Sequence, residues 1–289
     1  MLIQIIFFKL ISESLLSLYP LLVKKLPLSL MSQMWTRLLI YSVISLIFID
    51  WRIIFNWIFK TDGLLLSLVN LVHIFSSYLG FKRLDVSVSY SIFYIYPIFI
   101  MLFVNKRFSP SFLIPLVGVL FLAYHKNQKH EIQEEKEDQE EIVLTKERKQ
   151  YRVTIGVLMM ILSALTEAGI YWYVHKLDFK NPWNSLFISY FLPLIIMSVI
   201  LNKEIVEGNN KKGLLLGLLG NGIIGVIGYY LRFKSIVNLP PFSYAYLSYF
   251  GVIMSYFYGI YFNKEKFSWN RIVGTLIIVI YGLFNYQFL

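Results

Sequence analysis

The sequence predicts an all-α integral membrane fold, ten transmembrane helices arranged as two inverted five-helix repeats. Three observations predict it. The first is composition: 57% of the 289 residues are hydrophobic, 18% aromatic and only 15% charged, against about a quarter charged in a soluble domain. The second is spacing, because the charges collect between apolar runs of roughly 17 to 22 residues, the length that crosses a bilayer core. Helices apolar all round leave no face for water. The third is a stretch that occurs twice. Tyr78-Leu79-Gly80-Phe81-Lys82 leads through a tyrosine-rich segment to Asn105-Lys106-Arg107-Phe108-Ser109 and Gly118. Tyr230-Leu231-Arg232-Phe233-Lys234 leads through a similar segment to Asn263-Lys264-Glu265-Lys266-Phe267-Ser268 and Gly274. The two openings lie 152 residues apart, about half the chain.

Taken in order, the spans are about 3–23, 32–50, 63–81, 86–104, 110–125, 153–174, 184–201, 213–231, 240–262 and 269–288. The first contains Lys9 and Glu13 and lacks a small-residue cleavage site, so it reads as a retained helix rather than a signal peptide. Short polar links such as Lys82 to Asp85 make successive helices antiparallel neighbours. The long connection, 126–152, carries eight acids against seven lysines and arginines and no aromatic residue before Tyr151. It reads as a solvated, partly helical linker, and it divides the chain into 1–125 and 153–289. With five spans in each half, the second enters the membrane from the opposite side, the inverted arrangement of alternating-access carriers.

Sidedness is less determined. Loops on the side of Lys24 hold 17 lysines and arginines and the other side eight, Arg232 and Lys234 among them; without the linker the counts are ten and eight. The excess places the linker in the cytoplasm only if the linker itself is counted.

Charged and amide side chains inside spans are costly and mark candidate sites. Glu13 in span one and Glu167 in span six lie at similar depths when Val23-Lys24-Lys25-Leu26 is aligned with Val174-His175-Lys176-Leu177. Such a carboxylate pair can bind an amine or exchange a proton; the plainer reading pairs Glu13 with Lys9 at i,i−4. Asn70 and Asn221 form a second related pair in spans three and eight, with His73 one turn beyond Asn70. They can hydrogen-bond a polar solute or join helices. Tyr94 and Tyr246 sit near the middle of their spans, where a ring or sugar can stack on them. Pro97, inside span four, can loosen that helix for gating. Arg37 can face a cavity, but its place at the start of span two fits a snorkelling interfacial cation better.

Other chemistries find no support. There is no cysteine, hence no disulfide or thiolate metal site. Neither a Walker-type phosphate loop, nor Gly-x-Ser-x-Gly, nor His-Glu-x-x-His occurs. The net charge of +10 comes from lysines and arginines that cap spans, not from one basic face. These features imply no catalytic residue, no metal, no cofactor and no nucleic-acid partner. The partners they imply are a small-molecule solute and membrane lipids. Three functions follow: a secondary transporter, an integral-membrane enzyme acting on lipid-like substrates, and a non-transporting scaffold docking through the linker.

The order Lys24 or Lys25, Pro27, Arg37, then Pro97 inside span four and Gly118 in span five, with Glu265 followed by Gly274 in the second half, resembles the drug/metabolite transporter superfamily. The resemblance is to its ten-helix branch of two EamA-like halves and covers nearly the whole chain. It departs at Lys106 and Arg107, where the family often has an acid, and in span nine, whose Pro240 and Pro241 come at the helix start. The resemblance implies solute transport through a central cavity by alternating access. Nucleotide-sugar and sugar-phosphate antiporters share the superfamily fold.

Overall fold

The computed structural model describes residues 2–105, 114, 117, 118, 121, 139–200, 211–265 and 268–284. Among these there is no strand. The helices are α1 (Leu2–Leu16), α2 (Tyr19–Lys25), α3 (Leu30–Leu46), α4 (Trp51–Trp57), α5 (Thr61–Arg83), α6 (Val86–Phe93), α7 (Tyr96–Asn105), α8 (Gln139–Leu177), α9 (Pro182–Ile200), α10 (Lys211–Gly220), α11 (Ile227–Asn238), α12 (Pro241–Ser248), α13 (Phe250–Asn263) and α14 (Trp269–Phe284). A π-helical turn, Asn221–Val226, joins α10 to α11. Among the described residues, seven stretches are long and apolar enough to cross a membrane, and Ile272–Tyr281 is a shorter apolar helix.

Most of the span expected over 110–125 lies outside the described residues, as does the first part of the linker. From Gln139 the chain is continuous helix into the apolar part of α8, so the helix starts well before the expected span at 153. At Gly118, an added Cβ would lie 2.8 Å from the carbonyl oxygen of Gly274. These two glycines, matched in the repeat, bring the fifth and last spans into close approach.

Besides the first span, interrupted between α1 and α2 where the Leu18 amide donates to the Leu15 carbonyl, two spans are broken rather than continuous. Between α6 and α7 the amides of Ile95 and Ile98 donate to carbonyls three residues back. Between α12 and α13 those of Tyr249 and Val252 do the same. Each break is a tightened, 3₁₀-type turn. Pro97 therefore sits in the first turn of a half-helix, where a missing N–H costs little, rather than in mid-helix. The second break has no proline.

The helices pair in a reciprocal pattern. α1 packs on α11 as α8 packs on α5; α3 packs on α10 as α9 packs on α5; α6 packs on α13 as α12 packs on α7; and α3 packs on α9. Contacts between connections gather at two ends. At one, Lys25 Nζ donates to the carbonyl of Phe262 and Lys82 Nζ to that of Leu28, at 3.2 and 3.3 Å. There Glu265 caps α6, accepting from the amides of Val86 at 2.5 Å and Ser87 at 3.2 Å. At the other, Asn184 Oδ1 accepts from the Asp50 amide at 2.9 Å, and Lys176 pairs with Asp62 at 2.9 Å. Phe48 stacks on Trp183 and Trp183 on Tyr230, an aromatic belt suited to a membrane interface.

Candidate functional site

The middle of the bundle is polar. Lys9 and Glu13, four residues apart, share one face of α1 and form an ion pair. α8 brings Glu167, and α11 brings Arg232. The guanidinium joins the two acids: Nη2 lies 2.9 Å from Glu13 Oε2 and Nη1 2.6 Å from Glu167 Oε1. All four residues are at most 1% exposed. Buried charges persist only when paired and hydrogen-bonded, and here the partners close around them. The break between α6 and α7 turns Tyr94 and Tyr96 inward; the Tyr94 hydroxyl donates to Glu13 Oε2, and Tyr96 Oη lies 3.4 Å from Glu13 Oε1. Lys9 Nζ also rests 3.4 Å above the Tyr244 ring, a cation–π contact.

His73, from α5, extends this network. Its Nδ1 is 3.1 Å from the carbonyl of Ser163; a carbonyl only accepts, so Nδ1 carries a proton. Its Nε2 lies 3.1 Å from Tyr229 Oη and 3.4 Å from Glu167 Oε2.

A second cluster lies across the Tyr229 ring. The guanidinium of Arg37 is surrounded by Tyr19, Tyr41, Tyr78, Tyr190 and Tyr229, with ring centroids 4.7 to 5.7 Å from Cζ. Nη2 donates to Tyr190 Oη at 2.9 Å, and Nε has no hydrogen-bond partner. Asn221 forms the far wall. Its Oδ1 accepts from Tyr19 and Tyr78 hydroxyls at 3.0 and 3.3 Å, and its Nδ2 donates to the Gly217 carbonyl at 2.8 Å.

The expected residues therefore separate. Glu13, His73, Tyr94 and Glu167 meet in one network, and Asn221 lines the neighbouring cage. Asn70 donates to the Ser189 carbonyl at 2.8 Å, a contact between α5 and α9. Tyr246 is half-buried, whereas Tyr244, two positions earlier, faces Lys9. Pro97 is buried at the start of α7. Two arginines were misplaced by sequence reasoning. Arg37 does not snorkel: it is 2% exposed. Arg232, counted among loop cations, is the centre of the ion network. The signal for it was present, since Arg232 stands where the first copy of the repeat has Gly80.

Residues 154–284 match the model of the EamA-like transporter family. Over those residues, somewhat under half of the chain, the sequence is similar to EamA-like transporters. That family belongs to the drug/metabolite transporter superfamily, and with seven stretches among the described residues long and apolar enough to cross a membrane the chain is an integral, multi-pass membrane protein. No curated protein matches it. A solved structure titled "Crystal structure of protein" shares the fold at a TM-score of 0.66 and 11% identity, covering 99% of this chain and 98% of that one. The EamA-like half supplies Glu167, Tyr190, Asn221, Tyr229, Arg232 and Tyr244; the preceding half supplies Lys9, Glu13, Arg37, His73, Tyr94 and Tyr96. Neither half contains a complete polar centre.

Proposed function

We propose that the chain is a secondary transporter that moves a small polar or amphipathic organic solute by alternating access between two inverted five-helix repeats. The observation that carries this reading is the bridge from Glu13 to Arg232 to Glu167, an ion network whose charges come from both halves. Carriers of this class place their site at the repeat interface, near the midplane and beside broken helices. The matched breaks at 95–98 and 249–252 and the reciprocal helix pairing support the inverted repeat. Ten alternating spans put Lys25, Lys82 and Phe262 at one face and Asp50, Asp62 and Lys176 at the other, the grouping their contacts follow.

The network suits alternating access for an electrostatic reason. Parting the halves on either side strands a buried charge, at a cost of several kcal/mol, unless a solute or proton replaces the lost partner. An empty carrier is thereby held closed, and a matched solute licenses the movement. Protonation of Glu13 or Glu167 would release one arm of Arg232 and couple transport to a proton.

Counterflow in proteoliposomes loaded with pools of amino acids, amines, nucleobases, sugar phosphates and nucleotide sugars tests the reading. Exchange above empty liposomes in at least one pool, lost in Glu167→Gln, is the expected result. Background exchange in every pool, with folded protein in the membrane, would overturn it.

A further inference from the structure

Among the described residues, the fully buried acids and bases other than histidine are Lys9, Glu13, Arg37, Glu167 and Arg232. Lys9 and Arg232 balance Glu13 and Glu167. Arg37 is left over: no carboxylate among the described residues pairs with it, and its Nε lacks a partner. A buried arginine without a counter-ion is costly. Five aromatic faces recover part of that cost, but ring quadrupoles carry no net charge. A purely packing role at this position would be filled at less cost by a neutral side chain.

We infer that the Arg37 cage is a binding subsite for an organic monocarboxylate. The guanidinium fork matches a carboxylate, and its free Nε is one of the donors a bidentate contact uses. The rings of Tyr19, Tyr41, Tyr78, Tyr190 and Tyr229 suit the apolar body of such a ligand. One negative charge neutralises the buried set; the two of a phosphate monoester would leave a new imbalance. The cage draws on both halves, with Tyr19, Tyr41 and Tyr78 from the first and Tyr190 and Tyr229 from the EamA-like half. Tyr229 also separates Arg37 from Arg232, their Cζ atoms 4.8 and 5.3 Å from its centroid, so a bound anion would sit one ring away from the ion network. This inference rests on the carrier reading and specifies its solute.

The test uses the full chain in detergent or nanodiscs, with benzoate and hexanoate as probes against benzamide, benzylamine and phenyl phosphate. Ligand that binds only the folded state raises the unfolding temperature. The expected result is stabilisation by at least one carboxylate, little by the others, and an apparent Kd at least tenfold weaker in Arg37→Gln, with Arg37→Lys in between. The comparison among probes needs no variant, so it holds even if Arg37→Gln fails to fold. Equal stabilisation by benzamide or benzylamine, preference for phenyl phosphate, silence from both carboxylates, or undiminished binding in folded Arg37→Gln would each overturn the inference. Counterflow separates it from the carrier reading: a carried solute without an acid group sinks this inference alone. Carboxylate binding through Arg37 without any exchange sinks the carrier reading and leaves the subsite.

Discussion

At the scale of single residues, Arg232 decides whether the centre holds together. Arg232→Met would leave Glu13 with Lys9 as its one ion-pair partner and Glu167 with no cationic partner. Breaking a buried pair from one side costs on the order of 3–5 kcal/mol, and thermal unfolding of the purified variant should show a loss of that size. Glu167→Gln on top of Arg232→Met should then cost much less than it does alone, because neighbours in one network are not additive. Additive losses would mean that the two side chains do not interact. The acids were legible in the sequence because a carboxylate inside an apolar run is costly and needs a partner, which for Glu13 includes the plainer i,i−4 pairing with Lys9. The arginines were not, for a physical reason. A long basic side chain near a span's end normally reaches the headgroups, and nothing local distinguishes one that turns inward. Tyr244 and Tyr246 pose a similar problem, since which of two tyrosines faces the core depends on where α12 starts and how α13 turns away from it.

At the scale of elements, the π-helical turn explains a discrepancy in the repeat. Asn70 and Asn221 are 151 residues apart, whereas Tyr78 and Tyr230 are 152 apart. The turn at Asn221–Val226 lies between them, and a π-turn accommodates one residue more than an α-turn. The turn absorbs that extra residue and keeps α11 in the rotation of its counterpart. Inserting a further alanine after Gly222 would exceed what the turn takes up and should rotate everything beyond it by about 100°, carrying Arg232 off both acids. Lower thermal stability and loss of exchange are the expected outcome; a variant with wild-type stability and exchange would show that the turn does not aim Arg232. Gly251 tests the neighbouring break. A Cβ there would meet the Tyr94 hydroxyl, so Gly251→Ala should cost about 1–3 kcal/mol by overpacking and weaken the Tyr94–Glu13 contact. Gly222→Ala is the control, since the nearest atom to its Cβ is Ile40 Cγ1 at 3.5 Å; it should be neutral in a thermal melt. Pro97 drew attention to the first break, but the second is built from backbone turns and left no proline to find.

At the scale of the whole molecule, the question is how many times the chain crosses. Among the described residues seven stretches satisfy length and hydropathy, the interrupted pairs α1–α2 and α6–α7 included. The repeat asks for ten, and the difference lies in the interrupted pair α12 and α13, the Ile272–Tyr281 helix, and the span expected over 110–125, most of which lies outside the described residues. Hydropathy makes these apolar, and the doubled sequence pairs α12 and α13 with α6 and α7, and the last span with the stretch around Gly118. The two numbers differ in a measurable way. Ten crossings return the C-terminus to the side of the N-terminus; seven put them on opposite sides. Because the natural chain has no cysteine, single cysteines can be introduced without first removing any. Cysteines replacing Lys24, Lys82 and Lys211 should label from one side of sealed vesicles, and those replacing Asp50, Lys60 and Lys180 from the other. Tags fused before Met1 and after Leu289 should both appear on the side of Asp50. Tags on opposite sides would remove the inverted repeat, and with it the symmetry that makes Glu13 and Glu167 equivalent partners of Arg232.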